Sequence, residues 1–139
     1  MEKLDIDIRV PNQTRYLGLI GRVGEDVAHT LRGYRGDREE LAYHVNLVLT
    51  EAITNAIRHA NEDDPDKEIR VSISVDRGRL IIRVFDQGAG FDFKDRSSPE
   101  FRSLDEHGRG VYIIRSLMDS VEYRQTDSGH VLEMIKDLN

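Results

Sequence analysis

The stretch Ile69-Arg-Val-Ser-Ile-Ser-Val-Asp-Arg-Gly-Arg-Leu-Ile-Ile-Arg-Val-Phe85 reads as two strands with no room for a helix between them. Ile69, Val71, Ile73 and Val75 alternate with Arg70, Ser72 and Ser74, the period of a strand with one wet face. Asp76-Arg77-Gly78 supplies the turn, and Leu80 to Phe85 is almost wholly apolar, so the second strand of this hairpin is expected to be buried. A hairpin breaks the strict strand-helix alternation of a doubly wound parallel sheet. The expected fold class is therefore α+β: a two-layer sandwich with a mixed, mostly antiparallel sheet covered on one face by three helices.

Working outward, Leu4, Ile6, Ile8 and Val10 alternate with charged residues, and Pro11 ends that strand. From Gln13 to about Leu31 the apolar residues Tyr16, Leu17, Ile20, Val23, Val27 and Leu31 recur at helical spacing. Gly18, Gly21 and Gly24 interrupt that helix at about 1 kcal/mol each against alanine, which close approach by another backbone would explain. Asp37, with Glu40 three residues on, reads as the N-cap of a second helix from about Arg38 to Ala60. Beyond the hairpin, the polar, glycine-punctuated segment from Asp86 to His107 is long enough to be a functional loop. A third helix fits Gly110 to Met118. Val121–Tyr123 and Val131–Ile135 read as two last strands around an Asp127-Ser128-Gly129 turn.

The 139 residues suit one domain, 1–139, with a single core and no internal repeat. No cysteine is present, which excludes disulfides and thiolate metal sites and makes a reducing compartment the simpler expectation. No apolar run approaches the roughly 20 residues of a membrane span, and the N-terminus lacks a signal-peptide core, so the expected location is cytoplasmic, with no membrane contact. A formal charge of −6 without a dense Lys/Arg stripe disfavours direct nucleic-acid binding, so any effect on transcription must pass through a protein partner.

Three segments carry chemistry. In Glu51-Ala-Ile-Thr-Asn55-Ala-Ile-Arg-His59, Glu51, Asn55 and His59 are four apart and line one edge of the second helix. A carboxylate and an amide oxygen one turn apart can share a hard cation and its waters; a solvated helix edge is equally open on this segment alone. Asp86-Gln-Gly88-Ala-Gly90-Phe91 follows the apolar strand directly. Its acid can accept from an amino group while the glycines let the backbone approach a flat ligand, although such residues by themselves more often make a turn. In His107-Gly108-Arg109-Gly110-Val111, glycines open a helix whose free N–H groups, with Arg109, can hold an anion. Neither the Walker nor the Rossmann glycine pattern is present.

These three segments, in this order and on these elements, resemble the GHKL ATPase superfamily of gyrase-type topoisomerases, histidine kinases and mismatch-repair ATPases. There a helix carries Glu-x-x-x-Asn, a strand ends in Asp-x-Gly-x-Gly, and a lid leads into Gly-x-Gly. Val48 to Ala60, Phe91-Asp-Phe93 and Gly108 to Asp119 look more closely like the bacterial anti-sigma factor serine/threonine kinases of the RsbW and SpoIIAB type, and Pro11 with Tyr16 to Ile20 extends the likeness over nearly the whole chain.

The resemblance implies the Bergerat, histidine-kinase-like ATPase fold, ATP/ADP and Mg²⁺ as ligands, and a homodimer. It also implies partner switching between a sigma factor and a STAS-type anti-sigma factor antagonist, which the kinase phosphorylates. Carried over position by position, Asn55 becomes the magnesium ligand and Glu51 the acid that polarises the attacking hydroxyl. Asp86 becomes the acceptor for the adenine amino group, Gly88 and Gly90 shape that pocket, and Gly108 to Gly110 wrap the phosphates. Phe91, Arg109 and Val111 are counted with the nucleotide pocket, as is His59, for which a packed, hydrogen-bonded histidine is the alternative. Lid residues Asp92 to His107 are expected to order on nucleotide binding. Positions 107 and 109 are more often small and apolar in the family than His and Arg. Other readings are an ATP-binding regulatory module of the same fold without kinase activity, a histidine kinase catalytic domain, and an α+β domain with no nucleotide.

Overall fold

A computed structural model describes residues 2–88 and 106–139, the side chains of residues 106–108 excepted. Along the chain run β1 (Leu4–Pro11), a 3₁₀ turn (Thr14–Tyr16), α1 (Leu17–Thr30), α2 (Arg38–Asn55), a π turn (Ala56–Ala60), β2 (Glu68–Asp76) and β3 (Arg79–Asp86). After these come α3 (Glu106–Leu117), β4 (Ser120–Gln125) and β5 (His130–Asp137). The expected order of elements holds.

The five strands form one sheet in the order β1-β2-β3-β5-β4, and every pairing is antiparallel. The sheet is thus antiparallel throughout and not mixed. Two helices between β1 and β2 cross the layer twice, so β2 returns against β1. The single crossover through α3 makes β4 run parallel to β3, but β5 is inserted between them.

Register puts the apolar residues on one face. Val71 lies opposite Val84, Ile73 opposite Ile82, and Ile82 in turn opposite Met134, all essentially buried. Against them pack Leu41, Val45, Leu49 and Ile53 of α2 and Ile20 and Val27 of α1. Burying each such side chain stabilises the fold by roughly 1.5–3 kcal/mol. β3 is less uniformly buried than its composition suggests. Leu80, Ile82 and Val84 enter the core, whereas Arg83 and Phe85 point to the other face and are half-buried. That face is held by cross-strand polar pairs: Arg83 with Glu133 at 2.7 Å and Arg70 with Asp7 at 2.9 Å, the latter guanidinium lying over the Phe85 ring.

The α1 glycines divide. A Cβ at Gly24 would meet the side chains of Val45 and Leu49, and one at Gly21 would meet Asn46 at 2.9 Å, so both permit α1 to sit close on α2. The close neighbours are side chains of α2 and not another backbone. Gly18 has nothing within 4 Å of its Cβ position, so packing does not explain it.

Substituting these glycines should separate the two effects. Gly24→Ala should lower the thermal midpoint through overpacking of about 1–3 kcal/mol. Gly18→Ala should leave it unchanged or raise it, alanine being better in a helix by up to about 1 kcal/mol. Thermal unfolding of both variants followed by circular dichroism measures the difference; equal effects would contradict the packing described.

Candidate functional site

α2 begins where its sequence says it should. The Asp37 carboxylate accepts from the backbone N–H of Glu39 at 2.9 Å and of Glu40 at 3.3 Å, satisfying two donors that the first turn leaves free. Its end differs from the expected uninterrupted helix to Ala60. From Ala56 the chain opens into a π turn, in which Asn61 N–H donates to the Ala56 carbonyl at 2.8 Å. Single π turns inside helices occur often at functional sites. Exposure changes along this edge: Asn55 is buried, Glu51 half-buried and His59 exposed. His59 is therefore not packed into the core.

Two other segments meet this helix through glycine. At Gly110, a Cβ would strike the Glu51 carboxylate and come within 3.7 Å of the Asn55 amide nitrogen. α3 starts at Glu106, four residues earlier than expected, so Gly108 lies within the helix and not ahead of it, and Gly110 is no longer its first residue. The backbone N–H of Gly108 still falls among those that an α-helix leaves free at its start, while that of Gly110 does not. Arg109 is exposed and Val111 buried. The glycine that looked like part of a phosphate loop is thus the contact point between α3 and the Glu51–Asn55 edge.

Gly88 makes the second contact. A Cβ there would overlap the Ala60 carbonyl at the end of the π turn. The neighbouring loop is pinned by buried amides: Asn61 Oδ1 accepts the Gln87 N–H at 2.8 Å, and Asn61 Nδ2 donates to Asn12 Oδ1 at 3.0 Å. Asn12 Nδ2 in turn donates to the Asp64 carbonyl at 3.0 Å. Asn12 and Asn61 were not singled out in the sequence, because an asparagine beside a turn looks like any other turn residue.

Asp86, the last residue of β3, is 3% exposed. Its Oδ1 accepts the Gly88 N–H at 3.0 Å and its Oδ2 accepts the Tyr123 hydroxyl at 3.1 Å, while His130 Nδ1 lies 3.7 Å from Oδ1. Burial pushes its titration above the ordinary carboxylate range, and the bonds from Gly88 and Tyr123 and the nearby His130 offset only part of that effect. A buried, hydrogen-bonded acid at a strand end is suited to accept a further hydrogen bond from a ligand. Tyr123 and His130 also escaped the sequence reading, because they reach Asp86 through strand pairing alone. Gly90, Phe91 and lid residues 92–105 lie outside the described residues.

The family model of the histidine kinase-like ATPase domain matches residues 10–136. The serine-protein kinase RsbW of Bacillus subtilis is 34% identical over 142 residues, spanning 96% of this chain and 86% of that protein. RsbW of Bacillus licheniformis is 35% identical with the same coverage. Among solved structures, the histidine kinase domain of the Erythrobacter litoralis EL346 blue-light activated histidine kinase matches with a TM-score of 0.55 at 22% identity, over 93% of this chain and 62% of that one. The catalytic domain of the histidine kinase ThkA matches with a TM-score of 0.56 at 16% identity, over 99% and 98%. These structures define the class of fold. The chain belongs to the histidine kinase-like ATPase domain family and, within it, to the group of RsbW proteins.

The buried acid has a consequence for stability. Between the ordinary carboxylate range and the raised titration of Asp86, the native state holds a proton that the unfolded chain has released, so stability falls as pH rises through that window. Asp86→Asn removes the desolvated charge and should raise the thermal midpoint at pH 7, with the gain shrinking as pH drops into the ordinary carboxylate range. A lower midpoint at pH 7 would mean that the hydrogen bonds to the carboxylate outweigh its desolvation.

Proposed function

We propose that this chain is a serine/threonine-protein kinase that uses Mg-ATP, and an anti-sigma factor that regulates transcription by partner switching. The observation that carries the reading is the convergence on one edge of α2. Gly110 brings α3 against Glu51 and Asn55, and Gly88 brings the end of β3 against the turn that follows them. The printed name of the RsbW relatives, serine-protein kinase, supports the reaction class.

In this reading Asp86 accepts from the adenine amino group, Gly88, Gly90 and Phe91 shape the base pocket, and Gly108, Arg109, Gly110 and Val111 form the phosphate end. His59 stays a member of the cofactor-binding set only at its rim, being exposed. Asn55 offers a hard amide oxygen suited to magnesium. Among the described residues no cluster of three or more His, Asp or Glu is placed to hold a metal. A site of one protein oxygen, completed by phosphate oxygens and water, fits magnesium and its preference for keeping waters. When bound, that ion neutralises triphosphate charge. Glu51 takes the proton from a serine or threonine hydroxyl of the antagonist as its oxygen bonds to the γ-phosphorus, and ADP leaves with the electrons of the broken bond.

The partners in this reading are a STAS-type antagonist, which is the phosphoryl acceptor, and a sigma factor, which is sequestered. A homodimer is included, with the edge strand β1 and helix α1 as the available surfaces. Leu19 on α1 is 50% exposed, an apolar side chain suited to a protein contact. The reaction would run in the cytoplasm; no helix among the described residues is long and apolar enough to cross a membrane.

Incubation with Mg-ATP and a cognate antagonist should yield a phosphorylated serine or threonine on the antagonist. Glu51→Ala should cut that rate by about 100-fold or more while retaining ATP, and Asn55→Ala should weaken Mg-ATP binding itself. An antagonist left unphosphorylated by the wild type would remove the kinase claim, whereas loss of ATP binding would remove the nucleotide reading beneath it.

A further inference from the structure

Asp86 is not held by its own strand alone. Its cross-strand partner in the β3–β5 ladder is His130, and Tyr123, on β4, lies diagonally beyond. The Tyr123 and His130 rings stack, with centroids 5.0 Å apart and planes 12° from parallel. From this stack the Tyr123 hydroxyl donates to Oδ2 of Asp86 at 3.1 Å. His130 Nδ1, buried and with no hydrogen-bond partner among the described residues, lies 3.7 Å from Oδ1.

We propose that Tyr123 and His130 are positioning residues for Asp86: the stacked pair fixes the carboxylate rotamer and keeps it in its accepting, ionised form for the base of the nucleotide. The inference rests on Asp86 acting as the acceptor for the adenine amino group, as set out above. An ionised carboxylate offers about four lone-pair directions. The Gly88 N–H occupies one on Oδ1 and the Tyr123 hydroxyl one on Oδ2, and the His130 backbone contributes a further hydrogen bond to the carboxylate. Rotation of the side chain would break both side-chain bonds at once, which holds the carboxylate in place.

The histidine acts through charge and through the stack. A buried nitrogen without a hydrogen-bond partner requires compensation from its surroundings. Nδ1 lies 3.7 Å from the Asp86 carboxylate, and the electrostatic attraction of His130 opposes the desolvation of that acid. A phenylalanine at 123 would keep the ring contact and lose the bond. The hydroxyl is therefore the separable part.

The test compares Mg-ATP with Mg-ITP, which carries a carbonyl where ATP has its amino group, by isothermal titration into wild type, Tyr123→Phe and His130→Phe. Both variants preserve an aromatic stack. Alongside, ¹³C NMR follows the aspartate carboxyl titrations of the nucleotide-free protein, with Asp86→Asn assigning the resonance of Asp86. Tyr123→Phe should weaken ATP binding about three- to tenfold, as expected for one hydrogen bond, leave ITP binding unchanged, and move the Asp86 titration upward. His130→Phe should move it in the same direction. Equal losses for the two nucleotides with an unmoved Asp86 titration would overturn the proposal and leave the pair as packing. If the wild type binds neither nucleotide, the base-acceptor reading fails and the carboxyl titration decides alone: an unmoved midpoint in both variants overturns the positioning role as well.

Discussion

Two backbone segments reach α2 only because glycine stands at the points of contact. At Gly110 the start of α3 lies against the Glu51 carboxylate, and at Gly88 the end of β3 lies against the Ala60 carbonyl. Side chains at either position would push the segment away from the helix, since close-packed interiors do not yield space for added atoms without strain. Every group assigned to chemistry depends on these contacts, because Glu51, Asn55, Asp86 and the α3 glycines come from three distant stretches of chain. The apolar side of α2, through Leu41, Val45, Leu49 and Ile53, anchors the same helix to the sheet. One element thus joins the core to the site.

The site is also where the protein departs from what stability alone would select. Asp86 is a buried carboxylate at the end of a central strand, a position where an apolar or neutral residue would avoid the desolvation cost. The surrounding polar groups reduce that cost without cancelling it. The Asn12–Asn61 pair adds buried amides whose hydrogen bonds are all made within the protein, and these pin the loop that follows Asp86. A hydrogen-bonded polar network of this kind fixes the backbone at Gln87, directly after Asp86. Glu133 shows the opposite balance. Its burial is outweighed by the Arg83 and Arg124 guanidiniums, which hold its titration below the ordinary carboxylate range.

The likeness to histidine kinase domains at 16–22% identity concerns the fold, on which different chemistries can be carried. The likeness to RsbW at 34–35% spans 96% of this chain. In this chain the antiparallel sheet presents the end of its central strand β3 beside the turn that follows α2.

Local sequence determined much of this. The period-two runs at Leu4–Val10 and Ile69–Val75, the helical spacing in α1 and α2 and the Asp37 cap each depend on neighbours within a few residues, so they could be read before any fold was known. The Glu-x-x-x-Asn and Asp-x-Gly order was legible for the same reason. Other features were decided only by tertiary structure. The π turn after Asn55, the early start of α3 and the insertion of β5 beside β3 all depend on more than local spacing. So do the partners of Asp86: Tyr123 lies 37 residues away and meets it only because β5 brings β4 alongside. Periodicity records which face of an element is buried, but it holds no information about which distant side chain will lie opposite; that is set by strand order and register.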